Sequence, residues 1–264
     1  MGATFDDVGD ELDRVRDGIR HVEQEVVDGV RRGLTRAERD LSDGLRRWRL
    51  SAMHHPIRGL MDATAAVAAV VGAIWLVNRS AGPWPRQLAV GVYAASLIGV
   101  FTVSALYHSV PWREAAKKRM QKLDHTMIFF LVAGTYTPIA FIILDGWIRT
   151  ATLVAVWSIA VVGAAQKWIL HQVGLWLSIT LQTVQGWLAL LVVVPLIQRL
   201  PARAVTLIAA GGLLYPIGLV MLVSRRPFLW PRYFSYHEAM HVFVIAAAAC
   251  HFAVIARYVA PAVT

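Results

Sequence analysis

The chain has 264 residues, of which 57% are hydrophobic and only 16% charged, and its formal net charge is +9. Mean hydropathy is +0.52, well on the apolar side of a soluble domain, which carries about 45–50% apolar and about 25% charged residues. This excludes a disordered chain, a collagen and a disulfide scaffold, and the placement of the charge argues against a nucleic-acid partner. Residues 1–50 hold 12 of the 17 acids and 10 of the 26 bases, whereas the apolar remainder holds 16 bases against 5 acids. Basic residues set between hydrophobic runs are topology signals of a membrane protein.

Residues 5–49 read as one long amphipathic helix. Phe5, Val8, Leu12, Val15, Ile19, Val22 and Val26 recur at spacings of three and four, and Val30, Leu34, Leu41, Leu45 and Trp48 continue the stripe less regularly. The first heptads suit a coiled-coil seam through which two copies can pair. A surface helix lying on its own membrane domain or on lipid head groups fits the same pattern. Gly18, Gly29, Gly33 and Gly44 argue against a stiff rod. Residues 2–25 are acidic, with no apolar core of a signal peptide, so the first membrane helix is expected to direct insertion.

The organisation expected is a cytoplasmic helical tail over 1–56 and a membrane domain over 57–264. In the latter, seven apolar stretches follow at about 58–77, 87–108, 125–144, 149–169, 177–197, 203–223 and 238–259. Each is near the length that crosses a bilayer, and backbone in lipid must satisfy its own hydrogen bonds, so the expected fold is an all-α seven-helix bundle. With the N-terminus cytoplasmic, the cytoplasmic segments hold 20 Lys and Arg residues and the opposite side 6. The short loops alone favour the same side, 9 to 6, largely through Arg113, Lys117, Lys118, Arg119 and Lys122. An odd number of crossings then places the C-terminus outside. Trp84, Trp147 and Trp230 fall at the expected interfaces. The single cysteine, Cys250, sits in an apolar run and reads as a small buried hydrophobe.

Ionisable residues inside membrane helices are costly and therefore candidates for function. His108 ends the second helix, Asp124 begins the third, and His237 and His241 begin the seventh. All four share one depth. His237 and His241 are four residues apart, so their imidazoles lie on one helical face and suit a common metal, with His108 as a third nitrogen. Three histidines with an open position make a usual catalytic zinc site. Asp124 would then hold the water or act as general base, and Ser104, one turn before His108, would bond that water, Asp124 or a substrate carbonyl. Each residue alone has a plainer explanation: interfacial histidines, an Asp124 helix cap, a Ser104 bond to its own helix. The metal reading rests on their coincidence.

Of the other polar residues, Glu238 is expected to point away from the metal and pair with a loop arginine. His125 faces elsewhere, and His251 lies two to three turns deeper, suited to an interhelical bond. His54, His55 and His171 read as interfacial. Gln182 and Gln185 line a cavity or bond neighbouring helices. Asp62, in the first helix, needs a partner that the sequence does not name.

Ser104-Ala105-Leu106-Tyr107-His108, Leu123-Asp124-His125, Ala133-Gly134-Thr135-Tyr136-Thr137-Pro138 and His237-Glu238-Ala239-Met240-His241, with His251 beyond, together resemble the hemolysin III family. That family stands with the progestin and adipoQ receptors. The resemblance covers roughly residues 55–260; the tail has no counterpart in it and the first membrane helix no clear match. It implies seven helices with the N-terminus inside and zinc on His108, His237 and His241. It also implies Asp124 at the zinc water, Ser104 nearby, and an amide hydrolase acting on ceramide-like lipids. Two other functions stay open. One is a non-enzymatic zinc-containing receptor or regulator of membrane lipid or energy homeostasis. The other is a haemolysin-type pore former, which the missing export signal and the resident helices count against.

Overall fold

The computed structural model describes residues 24–25, 27–36, 38–39, 56–80, 82–170, 175–227 and 234–261. The chain divides into two units, Met1–His54 and His55–Thr264. In the first, residues 27–36 are helical, and Val27, Val30 and Leu34 form an exposed apolar stripe at spacings of three and four. The rest of the expected seam lies outside the described residues, as do His54, His55, His171 and Trp230.

The second unit is all-helical, with no β-strand among its described residues. Its helices are α1 (Pro56–Arg79), α2 (Trp84–Ser109), α3 (Glu114–Ile143), α4 (Gly146–Ile169), α5, α6 (Ala202–Ser224) and α7 (Tyr236–Val254). Helix α5 is composite: Leu175–Trp187, a 3-10 turn over Leu188–Val192, then Val193–Arg199. A π-helical turn, Ile255–Val259, extends α7. These make seven segments long and apolar enough to cross a membrane, so this is a multi-pass membrane protein.

Helix α3 begins eleven residues before the apolar stretch expected at 125. Pro111 ends α2's reach, and Glu114, Ala115, Ala116, Lys117 and Lys118 are good helix formers with an acid in the first turn. Polarity marked where the membrane starts, not where the helix starts. Lys117, Lys118 and Arg119 are consequently exposed on helix rather than in a loop.

Each helix packs on the next, and α7 closes the circuit by meeting α1. Helix α1 turns Leu60, Val67, Val71 and Ile74 outward and buries Asp62, Ala69, Ala73 and Leu76. The core joins Tyr93, Leu97 and Phe101 of α2 to Leu131 and Ile142 of α3 and Val254 of α7. A smaller cluster joins Phe129 and Ala133 of α3 to Val156 and Ala160 of α4. Outward apolar side chains suit lipid, where helix association depends on close packing and interhelical hydrogen bonds.

Both devices are present. Gln185, fully buried in α5, donates to the Phe129 carbonyl of α3 at 3.1 Å and the Val156 carbonyl of α4 at 3.0 Å. Of its two expected uses, the bond to neighbouring helices holds. One residue on, Tyr136 Oη donates to the Gly186 carbonyl at 2.7 Å, beside the point where α5 departs from α-helical bonding. The α3–α4 crossing is tight at Gly163, where an added Cβ would collide with the Phe129 ring. That ring is fully buried and has no room to yield. Gly163→Ala should therefore cost about 1–3 kcal/mol by overpacking, read as a lower thermal midpoint in detergent. An unchanged midpoint would mean that the crossing opens freely.

Candidate metal centre

Two helix ends create the site. At the end of α2, Ser104 and His108 lie four residues apart on one face. At the start of α7, Ser235 is the N-cap of a capping box: its backbone N–H and its hydroxyl both donate to Glu238 Oε2, at 2.8 and 2.6 Å. This box fixes the first turn of α7 and so the bearing of His237 and His241.

The three imidazoles converge. The His237 and His241 rings stack with centroids 5.1 Å apart and planes 13° apart. His108 stands edge-on to both, at 5.5 Å from His237 and 5.1 Å from His241. One ligand nitrogen from each histidine lies within 4.8 Å of the other two. His241 is the most informative of the three. Its Nδ1 is 2.9 Å from Asp62 Oδ1, while its buried Nε2 has no hydrogen-bond partner. A carboxylate only accepts, so Nδ1 carries a proton, and in the neutral imidazole the lone pair is then on Nε2. A buried lone pair without a partner costs free energy that a cation would recover. The donor set of three imidazole nitrogens, one ring held by a carboxylate behind it, therefore fits a metal.

Asp62 is 1% exposed, and its missing partners are now evident. Oδ1 takes His241, and Oδ2 accepts from the Ser104 hydroxyl at 2.8 Å. One turn earlier, Arg58 Nε donates to Glu238 Oε1 at 2.6 Å in a buried ion pair. Among the described residues, Glu238 is thus paired with an arginine of α1. Asp124 of α3 is half-buried, with Ser104, His241 and Asp62 among its neighbours. Tyr107 flanks the cluster with its ring 4.7 Å from that of His108.

The cluster thus gathers His108, His237, His241, Ser104 and Asp124, together with Asp62. His125 is elsewhere, with Lys167 as its charged neighbour. His251 is also apart: it stacks on Tyr215 of α6 at 5.9 Å, and its Nδ1 has no partner. Cys250 is half-buried rather than deep in the core. Sequence reasoning missed the paired ties between α1 and α7. The usable signal was Arg58 and Asp62 at i, i+4 opposite Glu238 and His241 at i, i+3.

The model of the family described as "Haemolysin-III related" matches residues 52–252, three-quarters of the chain with every residue of the cluster. The chain belongs to this family. It is 28% identical to the hemolysin-3 of Bacillus cereus over 211 residues, 80% of this chain and 91% of that one. It is 30% identical to the hemolysin-3 homolog of Bacillus subtilis (strain 168) over 161 residues, 61% of this chain and 72% of that one. It is 24% identical to the monocyte to macrophage differentiation factor of Homo sapiens over 217 residues, 80% of this chain and 87% of that one. The last likeness fits the wider grouping with the progestin and adipoQ receptors.

Proposed function

We propose that the protein is a zinc-dependent intramembrane hydrolase of lipid amides, with its site near the cytoplasmic face. The observation that carries this reading is His241 Nε2, buried and without a partner beside two further imidazoles. His108, His237 and His241 would hold the ion. Bound zinc supplies Lewis acidity toward a carbonyl and makes water acidic enough to attack near neutral pH.

The chain's own groups do the rest. An Asp124 carboxylate oxygen takes a proton from the attacking water and returns it to the leaving amine. Ser104 has its hydroxyl proton on Asp62, so it offers lone pairs. This suits holding a proton of the water better than donating to an oxyanion. Membrane lipids are the natural substrates, since the site lies among apolar helices that reach it from within the bilayer. Hydrolysis of an acyl amide consumes water and releases a fatty acid and an amine. The basic turns at the start of α3, at the end of the bundle where the cluster lies, support a cytoplasmic placement of the site.

The test is turnover of a fluorescent N-acyl lipid by detergent-purified protein. Hydrolysis should vanish on chelation and return with zinc. Cleavage that survives chelation, or no cleavage of any acyl amide by zinc-loaded protein, would overturn the reading.

A further inference from the structure

Helix α1 is the part of the membrane domain that the sequence left without a task, yet it carries the most deeply buried carboxylate of the cluster. We infer that Asp62 is a positioning residue for the metal centre, setting the tautomer and bearing of His241 and holding Ser104. This rests on the metal reading of the site.

The geometry is specific. Asp62 is 1% exposed, and each of its oxygens has one committed partner, His241 Nδ1 at 2.9 Å and Ser104 Oγ at 2.8 Å. Neither partner is local: one comes from α7 and the other from α2. A buried carboxylate in an apolar helix is costly unless its oxygens are satisfied. Here both are satisfied by residues of one cluster. An imidazole bonded through one nitrogen to a carboxylate is fixed in tautomer and ring orientation, and its other nitrogen becomes a better ligand. That other nitrogen is the unpartnered Nε2. The Arg58–Glu238 pair, one turn along the same interface, keeps α1 in register with the start of α7. Asp62 thus stands behind a histidine, a place distinct from the proton-transfer role proposed for Asp124.

The experiment compares wild type, Asp62→Asn and Gly163→Ala. Gly163→Ala serves as a destabilised variant that shares no partner with the site. Zinc affinity is measured by competition with a chromogenic chelator. The tautomer of His241 is read from side-chain ¹⁵N shifts in metal-free wild type. Asp62→Asn should weaken zinc about 10–100-fold, while Gly163→Ala stays within about twofold of wild type. In wild type, His241 should carry its proton on Nδ1. Zinc affinity in Asp62→Asn equal to that of wild type would overturn the inference, as would an equal loss in Gly163→Ala. Should Asp62→Asn fail to fold, the ¹⁵N shifts decide alone: a proton on Nε2 in wild type overturns the assignment. Should wild type bind no zinc, the hydrolase reading fails, and the ¹⁵N shifts still test the tie between Asp62 and His241.

Discussion

Wild type should hold about one zinc ion per chain, and His237→Ala and His241→Ala should each lose it. The two rings are stacked on the first turns of α7, and His108 meets both edge-on. Removing either leaves two imidazoles, below the three protein ligands of a catalytic zinc site. His241→Ala has a second cost, because it strands the buried Asp62 carboxylate with Ser104 as its remaining hydrogen-bond donor. Its thermal midpoint should therefore fall further than that of His237→Ala, although both lose metal equally. His251→Ala is the control. It removes a buried imidazole stacked on Tyr215, outside the cluster, and should keep its zinc. Elemental analysis of chelator-free, detergent-purified protein reads all three. Zinc retained in His237→Ala or His241→Ala, or absent from wild type, would remove the metal from this site.

Much of this centre was legible because membrane helices make polarity conspicuous. An ionisable side chain in an apolar run stands out, and a seven-helix arrangement fixes depth well enough to align His108, Asp124, His237 and His241 before any coordinates. The i, i+4 pair on α7 needed only helical geometry. What resisted was pairing across helices. Asp62 was conspicuous for the same reason, but its partners are 42 and 179 residues away in sequence, and nothing local points to them. The helix limits resisted for a related reason. Hydropathy sees the bilayer, so it missed the polar first turns of α3, which are helical because Glu114 through Lys122 favour helix in water. The same blindness hid the 3-10 turn in α5. The Gly186 carbonyl that accepts from the Tyr136 hydroxyl lies just before that turn, 50 residues from Tyr136 in sequence.

Asp124→Asn should separate chemistry from metal binding. The substitution keeps the side chain's size and removes its capacity to take a proton at carboxylate basicity. Asp124 does not belong to the three-nitrogen set, so zinc content should match wild type. Lipid-amide turnover should fall by about 10²–10⁴-fold, the usual worth of a positioned general base. Asp62→Asn should show the opposite pattern, with weakened zinc and turnover that excess zinc restores. Turnover in Asp124→Asn equal to wild type would exclude the general-base role. Lost zinc in that variant would instead make Asp124 part of the metal's support. The contrast between the two aspartates is the sharpest kinetic consequence of the proposed reading: both carboxylates neighbour Ser104, yet only Asp62 is bonded to an imidazole of the cluster, so it would stand behind the metal and Asp124 would move the proton.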